Sequence, residues 1–175
     1  RFRTWVMDNQ SLERHLQENH LDFAIVLLPV TSAQYTFHNL RPKPYYAVYG
    51  RGMPAPLTPS VKLQDLGLPL VVQQRRDYAG GMKSLLLKIF QKNSNHPRIV
   101  LETQDTSFLR QLLREGFPAV GILNEYEVKG TGMESLPTAR VDEESLSLTA
   151  SIITLRDAYI SVAAQKVIET VLEKF

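Results

Sequence analysis

The spacing of apolar residues changes along the chain, and each change marks an element. Residues 1–7, RFRTWVM, alternate Phe2, Thr4 and Val6 with Arg1, Arg3, Trp5 and Met7, the period of a strand with two unlike faces. Asp8 and Asn9 can accept the free N–H groups of a following helix, whose stripe is Leu12 and Leu16 and whose positive end Glu13 favours. The run DFAIVLLPV then places apolar residues on consecutive positions, which a strand tolerates when both faces are covered, as in a parallel sheet packed by helices. Residues 31–44 are turn-rich, and YYAVYG predicts a strand ending at Gly50.

Three prolines in RGMPAPLTPS exclude helix and central strand and make this stretch the candidate crossing between lobes. LPLVV predicts a buried strand, QQRRDYAGG a loop, and Met82, Leu85, Leu86, Ile89 and Phe90 one face of a helix, with Lys83, Lys88 and Lys92 turned away. RIVLE is a second strand. Asp105 or Thr106 caps a helix bearing Phe108, Leu109, Leu112 and Leu113, Gly116 suits its left-handed end, and PAVGIL is the third strand. Residues 68–123 therefore read as βαβαβ with short connections.

The stretch EYEVKGTGMESLPTARVDEES is polar, LSLTASIITL is a strand, and a final helix capped by Ser161 carries the stripe Val162, Val167, Ile168, Val171, Leu172 and Phe175. The central unit is already complete, so this helix is expected to return to the first. The expected architecture is α/β with two Rossmann-like lobes, residues 1–50 with 147–175 and residues 51–146. The chain then crosses twice, near 49–53 and 145–149, as paired strands. The helix-to-strand entry HLQENHLDFAIVLL at 15–28 is repeated as LLREGFPAVGIL at 112–123, once per lobe, which makes a pocket between two strand ends rather than a repeat array.

At 175 residues and 43% apolar composition the chain can bury a core as one domain or two small lobes. Its 20 basic and 18 acidic residues are interspersed, unlike a nucleic-acid surface. With no cysteine, disulfides, thiolate metal sites and a Cys nucleophile are excluded, which is compatible with a reducing cytosol. The longest apolar run, 23–30, is too short for a bilayer, and the first residues lack a signal-peptide core. The expectation is a cytoplasmic protein or a fragment of one, without a membrane partner.

Nothing marks an enzyme. GGMKS lacks the glycine spacing of a phosphate loop, and His15, His20, His38 and His96 lack metal-ligand spacing. There is no G-x-S-x-G, and Asp142-Glu143-Glu144 reads as a solvated loop. No catalytic residue, metal site or cofactor is assigned.

Four stretches in order carry a family resemblance over essentially the whole chain: LERHLQENHLDFAIV, with Asn19 where glycine is usual; VKLQDLGLPLVV; LLREGFPAVGILNE, with Asn124 where proline is common; and RDAYISVAAQKVIETV. The chain resembles the effector-binding domain of LysR-type transcriptional regulators, a type 2 periplasmic-binding-protein fold. That resemblance implies a regulatory domain in which a small effector binds between the lobes and alters a homodimer or homotetramer, with DNA bound only through an N-terminal helix-turn-helix domain that this chain does not contain. It also implies a first strand and helix before RFRTWVM, so the sequence reads as a fragment. A solute-binding protein of a transport system is the alternative, and an α/β enzyme the third reading.

Ligands of two-lobed α/β proteins bind at the carboxyl ends of strands, where loops and helix starts converge. Asp8, Asn9, Gln10 and Ser11 form one such loop, in which Asp8 or Asn9 also serves as an ordinary cap. In the loop 77–83, Gly80, Gly81 and Met82 open a helix, and the glycines leave N–H groups exposed to a carboxylate or phosphate; a flexible turn is the plainer reading. Pro29, Val30 and Asn124 follow the two repeated strands. Arg75 and Arg76 lie just past a strand and read as surface residues. The expected effector is small and carboxylate-bearing.

Overall fold

The structure, a computed structural model, describes residues 3–30, 32–73, 81–143 and 146–175. The chain falls into two compact units, residues 1–42 with 149–175 and residues 43–148.

In unit 1, helix α1 (Asn9–Gln17) precedes strand β1 (Ala24–Leu27), and strand β2 (Tyr35–Asn39) follows. The sheet is completed by β10 (Ala150–Leu155), which pairs antiparallel with β1 on one side and β2 on the other. Leu16, Ala24, Val26, Tyr35 and Ile153 close one core, and Leu40, Ala150 and Ile152 close a second over Ile168 of helix α5 (Val162–Lys174). Each such fully buried large side chain contributes about 1.5–3 kcal/mol. The closing helix thus packs in the first unit. Of its apolar stripe, Ile168 is buried, whereas Val162, Leu172 and Phe175 are exposed.

Unit 2 holds a larger sheet. Strand β3 (Lys43–Tyr49) lies between β7 (Val120–Asn124) and β8 (Thr138–Val141), antiparallel to both. Beyond β8 lies β4 (Ser60–Val61), and beyond β7 come β5 (Leu70–Gln73) and β6 (Ile99–Thr103). The pairs β5–β6 and β5–β7 are parallel, joined through helix α2 (Gly81–Lys92) and helix α3 (Thr106–Arg114) as the βαβαβ pattern requires. A short helix α4 (Glu125–Val128) follows β7, and β9 (Ser147–Leu148) pairs with the start of β3. Val48, Val71, Leu109, Leu113 and Leu123 form the centre of the core.

Several expectations change. Residues 3–7 form no strand. Arg3, Thr4, Trp5 and Val6 are exposed, and alternation alone does not hold a strand whose backbone groups find no neighbouring strand. YYAVYG, expected in the first lobe, is the middle of the unit 2 sheet, because β3 is paired along both edges and buried at Tyr45, Ala47, Val48 and Tyr49. The first passage between units therefore lies at 42/43 rather than 50/51, the second at 148/149 rather than 146/147, and the proline-rich stretch is a loop of unit 2. Beside these passages Lys43 pairs with Leu148 and Pro44 with Ser147. Strand β1 is not part of a parallel pair: among the described residues its one neighbour is antiparallel, and Ile25 is 46% exposed. Strands β2, β4 and β8 arise in stretches read as turn or polar loop.

The repeated helix-to-strand entry has one geometry in both units. Asn19, with φ 57°, and Gly116, with φ 90°, end α1 and α3 in the left-handed region. The N–H of His20 reaches His15 O at 2.8 Å and that of Asn19 reaches Leu16 O at 3.1 Å; Phe117 reaches Leu112 O at 3.0 Å and Gly116 reaches Leu113 O at 3.2 Å. Both are Schellman ends, which return orphan carbonyls to hydrogen bonding and turn the chain sharply into the next strand.

Candidate functional site

In unit 2 the carboxyl ends of the parallel strands carry a connected polar cluster. Asn124, the last residue of β7, has only 5% of its surface exposed. Its side-chain oxygen accepts from the N–H groups of Tyr126 at 2.9 Å and Glu127 at 3.2 Å, and its own N–H donates to Glu127 Oε2 at 3.1 Å. This reciprocal capping box fixes the start of α4. The other Glu127 oxygen accepts from the Thr106 hydroxyl at 3.3 Å, and the Gln73 amide donates to the same Thr106 oxygen. Thr106 begins α3, whose cap Asp105 accepts from the N–H groups of Ser107 and Phe108 at 2.8 and 3.0 Å. The ends of β5 and β7 and the start of α3 are thereby held to one another through side chains.

Beside this cluster Glu125 is bound by two lysines, Lys129 at 2.7 Å and Lys43 at 3.1 Å. The Lys129 ammonium, assisted by Lys43, holds the Glu125 carboxyl below the usual carboxylate range against the opposing effect of burial. The Lys43 ammonium also lies 5.4 Å from the Tyr126 ring centroid.

In unit 1 the predicted loop is a cap and a clamp. Asp8 accepts from the Ser11 N–H at 2.7 Å and from its hydroxyl at 3.0 Å, and those bonds, the N–H first, keep its carboxyl below the ordinary value of 3.8. The Asn9 amide donates to Leu27 O at 2.7 Å and accepts from Leu27 N–H at 3.3 Å, so it pairs with the end of β1 as a neighbouring strand would. Gln10 is exposed on α1. Pro29 follows a cis peptide bond and is exposed, whereas Val30 packs on the core. Asp8, Asn9 and Ser11 are thus brought together beside the end of β1. Gly81 and Met82 begin α2, while Gly80, with the rest of its loop at 74–80, lies outside the described residues, as do Arg75 and Arg76.

Sequence reasoning missed Gln73, Thr106, Glu127, Lys43 and Glu125. The pattern Asn-x-x-Glu at 124–127 was the available signal for the capping box. Unit 1 also holds a groove of about 700 Å³, bounded in part by Trp5, Leu12, Ile25, Ala163 and Val167, which none of the predicted residues lines. Among the described residues no three His, Cys, Asp or Glu side chains are placed to hold a metal ion.

Residues 1–175 match the family model described as the LysR substrate binding domain. Among solved structures the chain is similar to HinK, a LysR family transcriptional regulator from Pseudomonas aeruginosa, at 16% identity and TM-score 0.73, over 96% of this chain and 58% of that one. It is similar to the effector binding domain of QuiR in complex with shikimate, at 16% identity and TM-score 0.70, over 96% and 78%. It is also similar to full-length CbnR complexed with the target DNA, at 16% identity and TM-score 0.77, over 96% and 57%. At these identities the likeness concerns the fold, and the chain spans little more than half the length of several of the regulators it matches. A comparison with curated protein sequences gives no match.

Proposed function

Because the chain belongs to the LysR substrate binding domain family, a family of regulators that bind small-molecule effectors, we propose that it senses a small carboxylate-bearing effector for a transcriptional regulator. The observation that carries this reading is the cluster of Gln73, Thr106, Asn124 and Glu127 at the carboxyl ends of parallel strands, where open α/β sheets receive ligands. The contacts are assigned to Asp8, Asn9, Gln10, Ser11, Pro29 and Val30 in unit 1 and to Gly81, Met82 and Asn124 in unit 2. The first turn of α2 supplies N–H groups for the carboxylate.

The intact protein is assigned DNA binding through a separate domain, assembly as a homodimer or homotetramer, and a place in the cytoplasm with the DNA it regulates. CbnR in complex with its target DNA supports the first of these. Among the described residues no helix is long and apolar enough to cross a membrane.

Thermal unfolding against a panel of small carboxylates, amino acids and neutral polyols tests the reading. A ligand at a hundred times its dissociation constant adds about 2.7 kcal/mol, a rise of about 5–11 °C for a chain of this size. A panel in which only neutral compounds raise the midpoint overturns the carboxylate assignment. One in which no compound does so at millimolar concentration, with cooperative unfolding throughout, overturns effector sensing by this chain.

A further inference from the structure

His15 and His20 stand five apart, a spacing that does not stack two side chains on one face of a helix. Within unit 1 the chain nevertheless brings them together. Asn19, with φ 57°, ends α1 in the left-handed region, and the turn returns the His20 N–H to His15 O at 2.8 Å. The two imidazoles follow the backbone, with ring centroids 5.8 Å apart and planes at 61°.

Each ring is held through its Nδ1. That of His15 lies 2.9 Å from Ser11 O and that of His20 3.3 Å from Glu18 Oε2. A carbonyl and an ionised carboxylate can only accept, so in the neutral imidazoles both protons sit on Nδ1. The Nε2 of each ring is then a lone pair, the form that binds a metal, and a carbonyl or carboxylate on the other nitrogen is the usual support of such a ligand. A Zn²⁺ ion about 2.0–2.1 Å from two imidazole nitrogens at the tetrahedral angle sets the ring centroids about 5 Å apart. A small rotation of His20, whose side chain is 64% exposed, closes the difference. Both rings also flank the carboxyl end of α1, whose partial negative charge favours a cation.

We propose that His15 and His20 form a binding site for a divalent transition-metal ion, with Ser11 O and the Glu18 carboxylate orienting the rings. Among the described residues no third His, Cys, Asp or Glu joins them, so water takes the remaining positions and the ion is exchangeable. Two imidazole nitrogens select Cu²⁺ ahead of Zn²⁺, and both over Mg²⁺ and Ca²⁺, which take oxygen ligands. A bound ion ties the last turn of α1 to the segment that enters β1. The site stands apart from the effector reading and does not depend on it.

Calorimetric titration of the tag-free chain with ZnCl₂ at neutral pH should show one ion bound per chain, and MgCl₂ should give no such binding. His15→Asn and His20→Asn should each abolish it, and Glu18→Ala should weaken it about tenfold or more. His38→Asn and His96→Asn, which change the other two histidines, should leave it unchanged. Long-range proton–nitrogen correlation spectra of the metal-free chain should show the His15 and His20 rings protonated on Nδ1, and Zn²⁺ should shift their Nε2 resonances and those of no other histidine. Circular dichroism melts establish that each variant is folded; should His15→Asn fail to fold, His20→Asn at its exposed position decides. The proposal is overturned if Zn²⁺ at millimolar concentration neither binds nor moves these resonances, if folded His15→Asn or His20→Asn binds as the parent does, or if Glu18→Ala binds as tightly as the parent.

Discussion

Replacing Asn124 separates two roles that the residue can have, a ligand contact and a structural cap. The structure assigns its side-chain oxygen to two N–H groups of α4, in a residue almost wholly removed from solvent. Loss of an N-cap costs about 0.5–2 kcal/mol, and this one is at the upper part of that range because water has little access to the freed donors. Helix α4 has only four residues, so loosening its first turn also releases Glu127 from the Asn124 N–H and from Thr106. A further loss of about 1 kcal/mol follows from those bonds.

Asn124→Ala should therefore lower stability by about 2–3 kcal/mol in urea unfolding, a fall of about 4–12 °C in the thermal midpoint for a chain of this length. Asn124→Ser keeps an acceptor of the right kind and should lose less than half as much. A ligand contact without a capping role predicts the opposite pattern: unchanged stability for both variants in the absence of effector. An Asn124→Ala chain within about 0.5 kcal/mol of the parent, or one indistinguishable from Asn124→Ser, would refute the cap as the reason for burying this amide.

Two further outcomes follow from local geometry. A methyl group on Gly50 would lie 2.1 Å from Phe117 O, a backbone atom, so Gly50→Ala should cost about 3 kcal/mol or more by denaturant unfolding; Gly67→Ala, with open space around it, should stay within about 0.5 kcal/mol. Asp8 is held below its ordinary pKa of 3.8 by the Ser11 bonds, so its contribution is present above that value and disappears as pH falls through the lower folded-state value. Asp8→Ala should accordingly be less stable than the parent at pH 7, with the gap narrowing as pH falls below about 4 in melts across pH; a gap as wide at pH 2 as at pH 7 contradicts the charged cap.

What the sequence shows well is what short-range periodicity encodes. The βαβαβ unit was legible because Met82 to Phe90 and Phe108 to Leu113 repeat at helical spacing between apolar strands, and the left-handed end of α3 because Gly116 follows its last apolar turn. The proline-rich stretch was visible as a break, but composition does not say which units a break joins. Only the pairing of β3 along both edges shows that the passage lies before it. Strands β2 and β8 were hidden because four or five residues with polar outer faces resemble loop until a partner is known.

The site was harder to read for the same physical reason. Asp8, Asn9 and Asn124 stand out locally, as polar residues at the ends of apolar runs, but the groups that give each its surroundings are distant in the chain. Asn9 is completed by Leu27, Gln73 by Thr106, Thr106 by Glu127, and Lys43 by Glu125. Lys43 taken alone is a lysine beside a proline in a turn-rich stretch. The β3–β7 register, which sets Tyr45 opposite Asn124, is what brings Glu125 within reach of its ammonium. Residue type marks where polar chemistry is concentrated, and strand register decides which of those groups can act on one another.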